Sequence, residues 1–222
     1  MTVIKDIPRP DRDLLDAFAD EAAATLHEAL GRRGAMAAAI KPLHAGMRVV
    51  GPAVTVNARP SDNLMIHIAL ALARPGDVLV VDYKAMVEFG PWGDLMTASA
   101  IARGIAGLVI DGCVRDGEVI RGMGFPVFCR GTCMKGTTKV ATDGDVNLPV
   151  TCGGALVEPG DIVVGDGDGV VVVPLGEAGG TLSKARERTA REEELRAALM
   201  AGRTTIELLK LDGCLRAAGI EL

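Results

Sequence analysis

Apolar residues fall into β-branched blocks along this chain, separated by stretches in which they recur at helical spacing, and that alternation predicts strand, helix and strand in turn. Met47 to Ala58 is rich in Val and Thr and reads as a strand bent near Gly51-Pro52, while Asp77 to Asp82 and Gly107 to Asp111 read as two more. Between them, Asn63 to Ala73 reads as a helix that ends at Pro75-Gly76, and Leu95 to Arg103 as a helix opened by Asp94. Tyr83 to Gly93 reads as the loop that joins strand to helix. This β-α-β order favours parallel pairing. Leu14 to Leu30 predicts a first helix with Asp11 as its cap and Gly31 as its stop, and Gly117 to Gly124 a short one before the strand Pro126-Val127-Phe128.

Beyond Gly131 the chain turns to Val, Thr, Gly and Pro, which predicts a β-rich region up to Leu175. Within it, Asp161 to Gly165 and Gly169 to Pro174 flank Asp166-Gly167-Asp168 and read as a hairpin with a tight acidic turn. That turn lacks the twelve-residue ligand spacing of an EF-hand, so turn chemistry is preferred over calcium. Gly180 to Ala201 is a charged helix that reads either as a solvated face or as an arm reaching a neighbouring subunit. The whole chain, 1–222, is expected to be one domain, with a core over about 12–175 and a helical arm over about 176–222.

Charge and composition narrow the ligand class. A net charge of −5 and a pI near 5.3 argue against a phosphate-binding surface, so nucleic acid is not expected as a partner. Aromatic residues are only 3% of the chain, which leaves little for stacking on bases or sugars. The first residues carry charges and prolines in place of a secretory pattern, and no apolar run approaches the roughly 20 residues of a membrane helix. A cytoplasmic protein with no membrane contact is the expectation. Its five cysteines are an odd number, so reduced thiols are the default, and Cys129 and Cys133 have no second ligand pair at zinc spacing. His27, His44 and His67 stand singly, which makes a hydrolase triad improbable; His67 is read as a packing or capping residue of its helix.

The candidate chemistry lies in two short segments. Asp94 opens a helix, so the amides of Leu95 and Met96 are expected to be free donors for an anion. Arg115-Asp116 follows the buried strand, at the carboxyl edge where open α/β sheets bind ligands. Two carboxylates and a guanidinium would there hold a metal and a small keto acid. The alternative for the dipeptide alone is a surface ion pair, and for Asp94 an ordinary cap.

Several motifs in one order carry a resemblance: Gly51-Pro52-Ala53-Val54-Thr55-Val56, Pro75-Gly76-Asp77, Trp92-Gly93-Asp94, Asp111-Gly112-Cys113-Val114-Arg115-Asp116, Gly124-Phe125-Pro126, Pro159-Gly160-Asp161 and Asp168 to Pro174. Over roughly residues 12–215 the chain closely resembles the 4-hydroxy-4-methyl-2-oxoglutarate/4-carboxy-4-hydroxy-2-oxoadipate aldolase and RraA-like family. The resemblance implies an α/β fold, a swivelling β/β/α sandwich, assembled as a homotrimer or homohexamer with the C-terminal helix packed on a neighbouring subunit. It also implies a Mg²⁺- or Mn²⁺-dependent class II pyruvate aldolase of aromatic-acid catabolism, with oxaloacetate decarboxylation as a side activity. By family pattern Asp116 is the metal ligand and Arg115 grips pyruvate. Gly93, Asp94, Leu95 and Met96 receive the substrate carboxylate, with Asp94 near the metal's water.

Two points of the family pattern depart or stay open. The aldolases place an acid three positions after the Arg-Asp aspartate, where this chain has Val119, with Glu118 one position earlier. An acid from the adjacent subunit's helix is also implied, and Glu192, Glu193 and Glu194 all remain candidates. The alternative function is a non-enzymatic regulator that binds ribonuclease E or a helicase. An imine-forming aldolase using Lys84 or Lys135 would need a desolvated amine and no metal. A methyltransferase would need a G-x-G turn after a strand, whereas Gly165 to Gly169 joins two strands.

Overall fold

Val54, Val56, Leu79, Val81, Leu108 and Ile110 share one face of a central sheet, and Ala53, Val78, Val80 and Val109 share the other, because side chains alternate along a strand. A computed structural model of the protein describes residues 1–140 and 143–220. In it the strands Val49–Ala58, Val78–Met86, Gly107–Val114 and Val127–Cys129 lie side by side and parallel. Gly144–Val146 pairs antiparallel with the end of Val49–Ala58, and Thr2–Val3 adds to it. Lys41–Pro42 closes the opposite edge.

The two faces are covered differently, which makes the layers β, β and α. On the first face sit the helices Leu64–Leu72, Asp94–Ala102 and Gly117–Met123, contributing Ile66, Ala69, Met96, Ala100 and Ile120 to one buried cluster. On the second sit Val150–Cys152, Ala155–Val157 and the hairpin Ile162–Asp166/Gly169–Val173, whose Val163, Val170 and Val172 face the sheet. The hairpin joins through the first part of Val49–Ala58, which hands over from it to Val78–Met86 at the Gly51-Pro52 bend. A side chain on Gly51 would meet the Gly76 carbonyl at 2.2 Å, so the close approach requires glycine there.

The hairpin's outer face, Ile162, Val164, Val171 and Val173, is covered by Phe18, Leu26, Ala178, Leu182 and Ala185. Here the sequence expectation of one helix from Leu14 to Leu30 is corrected: the chain forms Arg12–Phe18 and Ala23–Ala29, with Ala22 extended between them. The break is held by Asp166, whose Oδ2 accepts from the Ala23 amide at 2.8 Å while its Oδ1 accepts from Asp168 at 2.9 Å. Both oxygens of the acidic turn's first aspartate are thus spent on backbone donors. Asp11 heads the first helix without a side-chain cap bond.

Ala178–Met200 buries only its first turns, Ala178, Thr181, Leu182 and Ala185, and its remainder is largely exposed. Thr205–Leu208 and Asp212–Ala217 follow it. Among the described residues no helix is long and apolar enough to cross a membrane.

Candidate active site

Loops leaving the carboxyl ends of Val49–Ala58, Val78–Met86 and Gly107–Val114 converge, and backbone bonds lock them together. The Val78–Met86 strand runs further than its apolar block, so the expected loop from Tyr83 begins only after Met86. Arg115 N–H donates to Trp92 O at 2.8 Å, Gly90 N–H to Lys135 O at 2.9 Å, and Thr138 N–H to Ser61 O at 2.8 Å. Trp92 is fully buried, stacks on Phe125 with centroids 6.1 Å apart, and donates its indole N–H to Thr97 Oγ1 at 2.7 Å. Thr97 in turn donates to Gly93 O at 3.0 Å, which fixes the start of Asp94–Ala102.

Gly93 is the helix N-cap, and its missing side chain leaves the space that the site's side chains occupy: a Cβ there would stand 2.5 Å from Asp116 Oδ2 and 3.0 Å from Arg115 Nε, displacing both. That contact brings the expected residues together. Arg115 Nε lies 3.3 Å from Asp116 Oδ2, and the Asp94 amide makes a long 3.4 Å contact with the same oxygen. Asp116 has φ +56, a left-handed conformation that costs a non-glycine residue about 1–2 kcal/mol. It heads Gly117–Met123 without using its side chain as a cap, which leaves the carboxylate to the site.

One expectation about the anion corner is corrected. The Leu95 amide is already engaged, donating to Asp94 Oδ1 at 2.7 Å, so the helix start holds its own carboxylate where a ligand's would sit. A ligand's carboxylate would have to displace Asp94 from Leu95 to use that donor.

Arg115, Asp94, Leu95, Met96 and Gly93 line a cavity of about 170 Å³ together with Asn63, His67, Gly90, Pro91, Gly136, Thr137 and Lys139. This is below the roughly 300–1,000 Å³ of drug-sized sites and suits a short acid. A wider recess of about 440 Å³ opens on the other side of Arg115, lined by Asp116, Glu118, Arg121, Thr132 and Cys133. Glu118 therefore stands beside Asp116, whereas Val119 turns outward and is 53% exposed.

Two wall residues were not singled out by their sequence as site members. Asn63 Oδ1 and His67 Nε2 are buried without a hydrogen-bond partner. His67 is not simply packed on its helix: it lines the cavity. Burial holds its imidazole below the ordinary histidine range, the nearby Lys139 charge adds to this, and Asp62 opposes it. The legible signal was i,i+4 spacing of two polar residues on an otherwise apolar helix face.

The remaining candidates lie elsewhere. Glu192, Glu193 and Glu194 sit on the far part of Ala178–Met200, outside both cavities, and Glu192 pairs with Arg188 at 2.8 Å. Lys84 pairs with Asp82 and Lys135 with Glu88, and that pairing raises the Lys135 pKa above its ordinary value, opposite to what an imine-forming lysine needs. Cys129 donates to Gly131 O at 3.4 Å, and burial pushes its thiol up to about 11. Among the described residues no three His, Cys, Asp or Glu side chains converge as a metal cage. A hard cation that keeps several waters and takes one or two carboxylates is the kind that fits Asp116, whose exposed side chain leaves room for a hydration shell.

A parallel sheet covered by helices on one face and strands on the other, with a small cavity at its carboxyl edge, defines an α/β domain of the β/β/α kind. Residues 13–172 match the RraA-like family model, described as Aldolase/RraA, and the chain belongs to that family. It is 39% identical over 181 residues to a Halalkalibacterium halodurans protein named "Putative 4-hydroxy-4-methyl-2-oxoglutarate aldolase", covering 82% of this chain and 86% of that one. The fold is similar to Streptomyces coelicolor RraAS2, described as an unusual member of the RNase ES inhibitor RraA protein family. There the TM-score is 0.77 at 32% identity, over 86% of this chain and 99% of that one. An uncharacterized Pseudomonas syringae pv. tomato protein is similar with a TM-score of 0.77 at 31% identity, over 89% and 96% of the two chains.

Proposed function

We propose that the protein is a lyase, a divalent-metal-dependent class II aldolase that cleaves 4-hydroxy-4-methyl-2-oxoglutarate or 4-carboxy-4-hydroxy-2-oxoadipate to pyruvate and a second keto acid. The observation that carries this reading is the meeting of Arg115, Asp116 and the start of the Asp94–Ala102 helix, with Arg115 and the helix start lining one small acid-sized cavity and Asp116 lining the recess on the other side of Arg115. The relative's name supports the same reaction class.

Arg115 presents a planar, permanently charged fork to the keto acid's oxygens, orienting the substrate and balancing charge as the C3–C4 bond breaks. The amides at the helix start, Leu95 and Met96, receive the substrate carboxylate, and Asp94 is released from Leu95 as that carboxylate arrives. The freed Asp94 carboxylate is placed to move a proton at C3 or at the C4 hydroxyl. Asp116 would hold Mg²⁺ or Mn²⁺, which when bound supplies Lewis-acid stabilisation of the developing enolate. Oxaloacetate decarboxylation follows as a side activity, since it passes through the same pyruvate enolate. One of Glu192, Glu193 and Glu194 reaches the neighbouring site in a trimer or hexamer.

A coupled lactate dehydrogenase assay with 4-hydroxy-4-methyl-2-oxoglutarate and oxaloacetate tests this. Pyruvate release is expected to disappear in EDTA and return with Mg²⁺ or Mn²⁺. Activity that survives chelation, with a borohydride-trapped adduct, would instead assign an imine mechanism. Lys139 is the lysine lining the cavity, and it is exposed, without the desolvation such a nucleophile requires.

A second reading, a regulator of a ribonuclease or helicase, is favoured by the likeness to RraAS2 and by Val119 standing where the aldolase pattern has an acid. It predicts stoichiometric inhibition of the ribonuclease and no pyruvate. Glu118 on the wall of the adjoining recess keeps an acid within that neighbourhood, which favours the enzyme.

A further inference from the structure

The strand layer on the second face of the sheet contains a gap. On one side of it, residues 34–36 lie along the hairpin: Met36 N–H donates to Val170 O and Val172 N–H to Gly34 O, both at 2.9 Å. These bonds bracket the Ala35–Val171 pair, so Ala35 turns its own N–H and C=O away from the hairpin. On the other side lies Ala155–Val157. Ala155 pairs with Cys152 across the two-residue turn Gly153-Gly154, both of positive φ, which directs its N–H and C=O to that partner and those of Leu156 outward. On these edges, among the described residues, neither Ala35 nor Leu156 has a backbone partner.

The two edges meet at one end, where Ala37 N–H donates to Gly153 O at 2.7 Å, and a cleft of about 540 Å³ lies between residues 34–35 and 154–156. Its lining includes the buried apolar side chains of Leu30, Ala155 and Val172, and it shares no residue with the Arg115 cavity. Open strand edges are commonly blocked by a charge or a proline. These two present instead an alanine and a leucine that is 63% exposed.

The cleft also has a sign. Arg33 is engaged by Glu177 at 2.7 Å, and both Asp161 oxygens accept backbone amides, from Glu158 at 2.9 Å and Leu175 at 3.0 Å. Among the described lining residues, only Glu158 keeps a carboxylate without a partner. It is exposed and stands two positions after Leu156, so the free charge is negative and complements a cation.

We propose that this cleft binds an extended peptide segment of a partner protein by strand addition, with apolar side chains toward Val172 and a lysine or arginine beside Glu158. An extended chain presents N–H and C=O to its two sides at alternate residues, so one residue serves Ala35 and the next Leu156. A ligand with polar groups on one side only serves a single edge. The interaction goes beyond the aldolase reading and does not depend on the chemistry at Arg115.

Fluorescence anisotropy with three labelled, amidated pentapeptides tests it: the sequence Thr-Val-Thr-Val-Thr with lysine replacing each threonine in turn. At least one is expected to bind the wild-type protein saturably, with a Kd of about 1 mM or tighter. Methylating the backbone nitrogens of its three central residues is expected to weaken binding at least about tenfold. Leu156→Pro removes the outward N–H and spares the bonds to Val150–Cys152, so it is expected to cost about fivefold. Glu158→Lys is expected to cost about fivefold and to shift preference to the same peptide with aspartate in place of lysine.

Arg115→Ala is expected to bind the peptide as wild type does. Failure of all three peptides to bind, or binding indifferent to backbone methylation, would overturn the proposal. Equal affinity for the lysine and aspartate peptides would overturn the charge assignment, and loss of binding in Arg115→Ala would move the peptide to the other cavity. The methylation test uses wild-type protein and Glu158 is exposed, so neither depends on Leu156→Pro folding.

Discussion

Arg115→Ala is expected to lower pyruvate release from 4-hydroxy-4-methyl-2-oxoglutarate by at least about a hundredfold, with a melting temperature close to wild type. The rate loss follows from removing a preorganised, charged donor aimed at developing negative charge, a class of change that typically costs 10²–10³ in kcat. The stability cost is small for stated reasons. The side chain is 44% exposed, and its ion pair with Asp116 at 3.3 Å is of the surface kind, contributing about 0–1 kcal/mol. The Arg115 amide bond to Trp92 O, which holds the two loops together, does not involve the side chain. Alanine also keeps the Cβ that fills the space against Gly90. Steady-state kinetics with a thermal melt checks both halves. Near-wild-type turnover would remove Arg115 from the reaction.

Asp116→Asn is expected to abolish measurable turnover and to weaken Mn²⁺ binding by at least about a hundredfold, as read by titration calorimetry. Asparagine is the informative replacement because residue 116 sits at φ +56, a region that Asn tolerates and most residues do not. Asp116→Ala would lose the charge and strain the backbone together, by about 1 kcal/mol, so its result would mix two causes. Unchanged Mn²⁺ affinity in Asp116→Asn, with activity intact, would place the metal elsewhere.

The nearly continuous apolar runs at 53–56, 78–81 and 107–110, rich in β-branched residues, made the parallel core legible, since strands buried on both faces carry few polar positions. Arg115, Asp116 and Asp94 were legible for a related reason: each stands at the end of such a block or the start of the helix after it. The break between Phe18 and Ala23 was not, because it depends on Asp166, which is distant in sequence and caps the second helix from the hairpin. The upward extension of Val78–Met86 was hidden by Tyr83, Lys84 and Ala85, the last two with positive φ, where the pairing to Gly107–Val114 shifts register. Asn63 and His67 escaped because their i,i+4 spacing fits a packed helix face as well as a cavity wall, and the unsatisfied atoms that separate the two depend on what folds around the residue.

The engaged Leu95 amide also carries a mechanistic meaning that sequence could not supply. Asp94 accepts from the Leu95 amide at the helix start, and under the aldolase reading a substrate carboxylate arriving there would release it for the proposed proton-carrying role. Such an exchange would couple recognition of the substrate carboxylate to availability of the Asp94 carboxylate. Gly93 makes this geometry possible by letting Arg115 and Asp116 press against the same turn.

The most direct measurement is a crystal structure of the protein with Mn²⁺ and pyruvate, with the metal located by its anomalous signal. The account predicts Mn²⁺ roughly 2 Å from an Asp116 carboxylate oxygen, with pyruvate between Arg115 and the Leu95 and Met96 amides. Mn²⁺ bound away from Asp116, or pyruvate bound outside the Arg115 cavity, would contradict it.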